Sequence, residues 1–175
     1  MNDVIPLFIL VPLAAAFIMP LLPRRLTWLP DLLGTAVMSV LTALALAMVG
    51  VTEVYHMGRW RTPLGVDVRL DGLSTLLLIM ISLIGLAALL FSVEYMRSYT
   101  AKRKYYALFL FMVTGMNGVV LSGDFFNLFV FMEIAAIASY ALVAYGCQHK
   151  ELEAPFKYAV LGSVASAFIL IGIAI

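Results

Sequence analysis

Long apolar stretches alternate with short polar segments along the chain. Six of these stretches are long enough to cross a bilayer, which takes about 20 residues. The predicted membrane-spanning helices cover roughly residues 4–22, 29–49, 73–91, 105–121, 125–145 and 155–175. Residues 122–124 leave so little chain between the fourth and fifth helices that these two helices must be antiparallel neighbours. The pattern predicts an all-α membrane protein, a polytopic helical bundle in which residues 1–175 form a single transmembrane domain.

The one sizeable polar segment runs from Gly50 to Gly72, between the second and third helices. Four apolar residues in it alternate with polar neighbours: Trp60, Val66, Val68 and Leu70. Such alternation is typical of a strand with one covered face, and Pro63 and Gly65 interrupt the run as a turn would. The segment is therefore predicted to form a small external β-hairpin that lies over the helices.

Composition excludes several classes of function. Hydrophobic residues make up 64% of the chain and charged residues only 12%, against roughly 45–50% and 25% in soluble domains. The net charge of +1 is too small for a nucleic-acid-binding surface, so no nucleic-acid partner is expected. The single cysteine, Cys147, cannot supply the four ligands that an iron–sulfur cluster normally takes, and both histidines lie in polar segments. We therefore expect no cofactor and no redox centre in this chain.

The positive charges indicate an orientation. Eight of the 11 Lys and Arg residues follow the first, third or fifth helix: Arg24, Arg25, Arg97, Lys102, Arg103, Lys104, Lys150 and Lys157. Cytoplasmic loops of membrane proteins carry an excess of these residues. We therefore expect these connections to lie in the cytoplasm and the N-terminus outside, in a multi-pass protein of the cell (inner) membrane.

One acid lies deep inside an apolar run. Glu133 is the ninth residue of the fifth predicted helix, roughly 12 Å from its outer end at 1.5 Å per residue. A charge at the middle of a membrane helix costs roughly 2.5–3.5 kcal/mol on insertion scales, which makes such a residue a candidate functional group. Burial favours the neutral acid and a nearby cation favours the carboxylate, so this group could take up and release a proton. The structural alternative is a protonated Glu133 that makes a hydrogen bond between helices.

Four further side chains are candidates for an ion path. Lys157 lies near the start of the sixth helix, roughly 15 Å from Glu133 along the membrane normal, which is too far for a direct ion pair. Alternatively, Lys157 simply extends to the lipid headgroups. Asn127, Ser139 and Tyr140 lie on the fifth helix, where Tyr140 shares the face of Glu133 by helical spacing. These three side chains could hold water in a hydrated path, although a tyrosine is also typical of the membrane interface.

Other conspicuous residues are interpreted as packing or capping residues. Three prolines in the first helix remove backbone donors, which membrane helices tolerate when neighbours bond to the freed carbonyls: Pro6, Pro12 and Pro20. Small residues let helix backbones approach closely: Gly115, Gly118, Gly162, Ser163, Ala165 and Ser166. Asp71 is expected to cap the third helix. Glu94 and Arg97 have the i, i+3 spacing of a local ion pair.

Three segments resemble a known family. They read VDVRLDGLSTLLLIMISLIGLAALLFSVEYM, GDFFNLFVFMEIAAIASYALVAYG and LEAPFKYAVLGSVASAF. All three are similar to the antiporter-like membrane subunits of respiratory complex I, Mrp Na⁺/H⁺ antiporters and membrane-bound hydrogenases. The string DFFNLFVFMEI is most similar to the D-type subunit of Mrp antiporters, in its N-terminal portion.

The resemblance implies a longer bundle of about fourteen helices with two inverted five-helix repeats, a common transporter device. In this family an acid on the fifth helix couples to a lysine on the seventh, and Glu133 matches that acid. Lys157 matches a lysine at the start of the family's sixth helix. The seventh-helix lysine has no counterpart before Ile175. The sequence is therefore expected to be the front portion of such a subunit or one piece of a split one.

The expected function is proton or Na⁺/H⁺ translocation by an antiporter-like subunit of a multi-subunit membrane complex, through buried Glu and Lys residues and water. The alternative is a non-conducting membrane scaffold subunit of a complex I-like, hydrogenase or Mrp assembly. The sequence shows no catalytic or redox site, so an enzymatic role would come only through a quinone oxidoreductase-like or hydrogenase complex. The expected partners are other membrane subunits of such an assembly, H⁺ with or without Na⁺, and lipid.

Overall fold

The computed structural model describes residues 4–23, 26–57, 65–98, 101–146 and 152–175. The described chain contains six α-helices: α1 (Leu7–Ile18), α2 (Leu29–Ala47), α3 (Gly72–Tyr95), α4 (Lys102–Leu121), α5 (Phe125–Val143) and α6 (Glu153–Ala174). Short 3₁₀ turns extend α1 over Met19–Leu21 and α3 over Met96–Ser98. Helices α2 to α6 are long and apolar enough to span a membrane, and α1 with its 3₁₀ turn is a shorter apolar helix. The predicted membrane bundle of about six helices is confirmed.

Helix ends differ from the prediction where proline or basic residues decide them. Helix α1 ends at Ile18 rather than near residue 22, because Pro20 has no backbone N–H with which to continue the helix. Helix α4 begins at Lys102 rather than near residue 105, because lysine and arginine favour helix and can extend toward the membrane surface. Helix α3 continues past residue 91 to Tyr95.

Helix α4 lies at the centre of the described bundle. It packs most extensively against α5, next against α1, and also against α2 and α3. The core around it is made of fully buried side chains from four helices: Phe8, Met38, Leu41, Leu78, Leu89, Tyr106, Leu110, Val113 and Leu121. Helix α6 packs against α5, and only Pro155 and Ser166 of α6 are buried within the described structure. The central helix therefore fixes the position of α5, which carries Glu133.

A proline in α1 is matched by a donor from α4. Pro12 cannot donate to the carbonyl of Phe8, four residues earlier, so that buried oxygen loses its helical partner. Asn117 of α4 supplies the missing donor, and its Nδ2 lies 2.9 Å from the Phe8 carbonyl oxygen in a buried contact. The expectation that a neighbouring helix bonds to a carbonyl freed by proline is confirmed at Pro12.

Glycines bring α4 and α5 into close contact. A β-carbon added at Gly115 would lie 2.7 Å from the carbonyl oxygen of Phe131, and one added at Gly118 would overlap the Phe131 ring. The same β-carbon at Gly115 would also clash with the backbone of Ala135. Residue numbers rise along α5 as they fall along α4, so the two helices are antiparallel, as predicted. The assignment of Gly115 and Gly118 to packing is confirmed.

The hairpin between α2 and α3 is confirmed as two antiparallel strands, β1 (Glu53–His56) and β2 (Asp67–Leu70). Val68 and Leu70 are buried, whereas Trp60 and Pro63 lie outside the described residues. The backbone N–H of Gly123 donates to the carbonyl of Asp67 at 2.8 Å, and a β-bridge joins Val68 to Ser122. The hairpin is thereby attached to the corner between α4 and α5.

Two aspartates cap helices at this same end of the bundle. The Asp71 carboxylate accepts the backbone N–H of Ser74 at 2.7 Å and caps α3, as predicted. Hydrogen bonds from the backbone and hydroxyl of Ser74 hold the pKa of Asp71 below its ordinary value. Asp124 caps α5 in the same way, through the backbone N–H of Asn127 at 2.7 Å. The start of the acid-bearing helix is therefore set by both a cap and a strand contact.

Candidate functional site

Glu133 is half-buried in the middle of α5. Its Oε1 is fully shielded and has no hydrogen-bond partner among the residues that the structure describes. Phe131 and Ala135 face α4, as their contacts with Gly115 show. Glu133 lies between them in sequence and therefore projects from the opposite side of the helix. The acid is thus directed away from the central helix.

The contacts of Tyr140 show that the side of α5 opposite α4 packs against α6. Its phenol lies against Gly162 of α6, where any added β-carbon would overlap the phenol oxygen. The Tyr140 ring also contacts the ring of Tyr158 edge-on, with centroids 4.9 Å apart. Glu133 precedes Tyr140 by seven residues, which is two helical turns on the same face. Glu133 and Tyr140 therefore share the side of α5 that packs against α6.

Ser139 and Asn127 lie in two different settings. The hydroxyl of Ser139 donates to the carbonyl of Ala136 at 2.7 Å and lies 3.4 Å from the hydroxyl of Tyr158. Asn127 belongs to the first turn of α5, where its side chain donates to the hydroxyl of Ser122 at 3.4 Å. Ser139 therefore lies beside Tyr140 near the α6 contact, whereas Asn127 is part of the corner that starts the helix.

Lys157 and Glu133 are not brought together. The ammonium group of Lys157 pairs with Glu153, one turn earlier on α6, and both side chains are exposed. Pro155, Ala159 and Gly162 form the side of α6 that faces α5, and Lys157 projects from the opposite side. An exposed i, i+4 pair of this kind contributes only about 0.3–0.5 kcal/mol. Within the described structure, Lys157 therefore has the setting of a surface residue.

A largely buried ion pair at the other end of α4 was not predicted from the sequence. Lys102 donates to Asp31 at 3.1 Å, and the two side chains are each only 15% exposed. The pair joins the first turn of α2 to the start of α4, and Tyr106 is fully buried beside Asp31. Arg103 adds a bond to the carbonyl of Leu22. The local signal was an acid in the first turn of a helix, but its partner lies 71 positions away and no spacing rule reaches it.

The described chain does not bring three His, Cys, Asp or Glu side chains together as a metal site would require. An apolar groove between α5 and α6 is lined by Ile137, Tyr140, Ala141, Ala144, Leu152, Pro155, Phe156 and Ala159. The arrangement presents a shielded carboxyl oxygen of Glu133 that has no hydrogen-bond partner within the described structure. The side chains of Ser139, Tyr140 and Tyr158, which carry hydroxyl groups, lie at the contact between α5 and α6, about two helical turns from that carboxyl group.

Two family descriptions match the chain. Residues 61–106 match "NADH-Ubiquinone oxidoreductase (complex I), chain 5 N-terminus", and residues 122–175 match "NADH:quinone oxidoreductase/Mrp antiporter, TM". The second match contains all of α5 and α6, and with them Glu133. The chain belongs to this family of antiporter-like membrane subunits.

Relatives and a solved structure from the family are similar to this chain over almost its whole length. The D-type subunit of the Na⁺/H⁺ antiporter of Alkalihalophilus pseudofirmus is 32% identical over 99% of this chain and 36% of its own length. The N-type subunit of the NADH-quinone oxidoreductase of Desulforudis audaxviator is 32% identical over 95% of this chain and 35% of its own length. A component of the Mrp complex from Dietzia sp. DQ12-45-1b superposes with a TM-score of 0.90 at 31% identity, covering 99% of this chain and 34% of that one.

The chain thus spans about a third of the length of these antiporter-like relatives. The fold of the matched part is the family fold, and the protein is a membrane protein. Both points agree with the resemblance inferred from the sequence. Glu133 lies in the segment that the complex I and Mrp families share.

Proposed function

We propose that this chain is a proton- or cation-translocating part of an antiporter-like subunit, in which Glu133 changes its charge during turnover. The observation that carries the proposal is the shielded Oε1 of Glu133, which has no hydrogen-bond partner in the described structure and lies within a membrane-spanning helix. A group with a purely structural role would be expected to have its bonding capacity filled there. An unpartnered carboxyl group has capacity for a proton or a water molecule.

The energy of moving a charge across the membrane is similar in size to the energy of changing the protonation equilibrium of a carboxyl group. Moving one charge across a membrane potential of 100 mV is worth about 2.3 kcal/mol. For any carboxyl group, a change of one pKa unit corresponds to about 1.36 kcal/mol. Modest changes in the field around Glu133 can therefore be coupled to charge movement, either by lysines elsewhere in a longer subunit or by bound water.

The proposed partners follow from the relatives, whose names include a Na⁺/H⁺ antiporter subunit and a quinone oxidoreductase subunit. We propose that the protein works with other membrane subunits in a complex of that kind, in contact with lipid, and that it moves H⁺ with or without Na⁺. Lys157, Asn127, Ser139 and Tyr140 are proposed to line or flank the path, with Lys157 at its end on the surface.

The test replaces Glu133 by glutamine, which keeps the shape of the side chain and removes its charge. Ion flux is measured with a pH-sensitive dye in vesicles containing the assembled complex, and assembly is measured by native gel electrophoresis. We expect flux to fall by at least about tenfold, which corresponds to 1.36 kcal/mol in the barrier, while assembly is unchanged. The matched control is Glu94→Gln, because Glu94 is exposed and its ion pair in the described chain is with the neighbouring Arg97. Unchanged flux in Glu133→Gln would instead identify a non-conducting scaffold.

We also propose that the hairpin end of the bundle faces outward and that the end carrying Lys102 faces the cytoplasm. The hairpin is attached where α4 ends, and Lys102 lies where α4 begins, so the two lie at opposite ends. In a Cys147→Ser background, the variant Val54→Cys should react with a membrane-impermeant maleimide in intact cells. The variant Lys104→Cys should react only after permeabilisation, and the reverse result would overturn the orientation.

A further inference from the structure

Three side chains that carry hydroxyl groups meet at the contact between α5 and α6. The Tyr140 phenol lies against Gly162, and its ring contacts the Tyr158 ring edge-on. The Tyr158 hydroxyl lies 3.4 Å from the hydroxyl of Ser139, at a distance and geometry at which either can donate. We call Ser139, Tyr140 and Tyr158 the hydroxyl cluster. Tyr158 belongs to α6, so the cluster is completed by a helix other than the one that carries the acid.

Of the hydroxyl cluster, Tyr140 lies on the same side of α5 as Glu133. Tyr140 follows Glu133 by seven residues, a rise of roughly 10 Å along the helix. A gap of this length is too long for a direct hydrogen bond and suits one or more bridging waters.

The α6 residues on this side are distinct from the exposed ion pair. Lys157 and Glu153 pair on the outer surface of α6. Gly162 and Ser166 lie on the side that meets α5, and Ser166 is buried with its hydroxyl bonded to the carbonyl of Gly162. The polar groups that α6 presents to α5 are therefore hydroxyls rather than charges.

We propose that Tyr158 and Gly162 are positioning residues for proton transfer to and from Glu133. The proposal rests on the proposed function of Glu133. Gly162 leaves the space in which the Tyr140 phenol lies, and Tyr158 completes the cluster that holds water between Glu133 and the N-terminal end of α6. The Tyr140 and Tyr158 hydroxyls each accept a hydrogen bond from one group and donate to the next, so a proton passes along them by exchange of O–H bonds. The Ser139 hydroxyl, which donates to the Ala136 carbonyl, acts as an acceptor that orients the Tyr158 hydroxyl. Every hydroxyl is regenerated, and no charge remains on the tyrosines.

The first test removes one hydroxyl from the assembled complex. Tyr158→Phe keeps the ring contact with Tyr140, and we expect proton flux to fall about fivefold, the effect of losing one hydrogen bond. Ser139→Ala should give a similar loss, and the double variant should lose no more than either single variant because both act on the same contact. Ser139→Thr keeps the hydroxyl and should restore flux, which a purely structural role in packing would not predict. Ser163→Ala is the matched control, because that exposed hydroxyl bonds only to its own helix in the described structure.

The second test uses two glycines of the same helix. Gly162→Ala places a methyl group where the Tyr140 phenol now lies, so we expect flux to fall with the complex still assembled. A β-carbon at Gly172 meets no atom within 4 Å in the described chain, so Gly172→Ala should leave flux unchanged. If Gly162→Ala lowers assembly, the variants Ser139→Ala and Ser139→Thr test the same cluster without altering the close helix contact at Gly162.

The outcomes separate this inference from the proposed function. Loss of flux in Glu133→Gln together with normal flux in Tyr158→Phe and Ser139→Ala would overturn the role of the hydroxyl cluster and leave the role of Glu133 intact. Normal flux in Glu133→Gln would overturn both. Equal losses in Ser139→Ala and Ser139→Thr would show that packing, rather than the hydroxyl, is what matters at that position.

Discussion

Replacing Asn117 by leucine removes a donor whose only described role is to bond the Phe8 carbonyl freed by Pro12. Leucine is not smaller than asparagine, so the substitution leaves no cavity at this buried site. A second substitution, Pro12→Ala, restores the backbone N–H of α1 and gives the same carbonyl its helical partner again. Because leucine is larger than asparagine, any packing cost is present in both backgrounds, and comparing the two backgrounds isolates the hydrogen bond.

The size of the effect follows from where the contact lies. Asn117 is 3% exposed, so water cannot replace the lost donor. An unpartnered buried polar group costs about 1–3 kcal/mol in proteins, and hydrogen bonds between membrane helices average about 0.6 kcal/mol with a maximum near 1.7. We expect Asn117→Leu to lower the free energy of unfolding by about 1–1.5 kcal/mol. In the Pro12→Ala background the same substitution should cost less than about 0.5 kcal/mol.

The assay is equilibrium unfolding of the four proteins of this double-mutant cycle in mixed detergent micelles, followed by circular dichroism. Thr114→Val is the control, because the Thr114 hydroxyl is buried on the same helix but bonds to its own Leu110 carbonyl. Thr114→Val should cost the same with or without Pro12. If Asn117→Leu cost the same in both backgrounds, the asparagine would not be compensating for the proline and the reasoning would be refuted.

Three further predictions concern other contacts. Lys102→Met should lower the free energy of unfolding by up to about 3 kcal/mol, because it leaves the Asp31 carboxylate without its partner, and adding Asp31→Asn should recover most of that loss in the same unfolding assay. Gly118→Ala should cost about 1–3 kcal/mol, because the added methyl group overlaps the ring of Phe131. The lowered pKa of Asp71 means that its carboxylate stabilises the fold above about pH 4 and that this contribution is lost as the pH falls through the folded-state pKa, so the stability difference between Asp71→Ala and wild type should shrink in acid.

The sequence predicted those features that depend on local pattern. Apolar runs identified the helices, because a bilayer requires about 20 apolar residues wherever the chain crosses. Asp71 and the Glu94–Arg97 pair were predicted correctly, since capping and i, i+3 pairing need only neighbours in sequence. Glu133 could be located as a deep acid from its position in one such run.

The rest depends on contacts between distant segments. Asp31 and Lys102 are 71 positions apart, and their pairing follows only from the way α2 meets α4. The same holds for Tyr158, whose contact with Ser139 depends on the rotation of α6 about its axis. That rotation also turns Lys157 away from α5, a direction that the distance estimate along the membrane normal does not contain. Depth can be read from sequence spacing, whereas the direction in which a side chain points around its helix requires packing.

The attachment of β2 to Gly123 couples the hairpin to α5, the helix that carries Glu133. The strand and the residues that lead into α5 are joined by the β-bridge between Val68 and Ser122, which includes the hydrogen bond from the Gly123 N–H to the Asp67 carbonyl, so they are expected to move together. A spin label or fluorophore at the exposed Val54 would therefore report movement of α5, the helix that carries Glu133. Any tilt or slide of that helix during turnover could be followed from solution, with no reporter group placed inside the lipid.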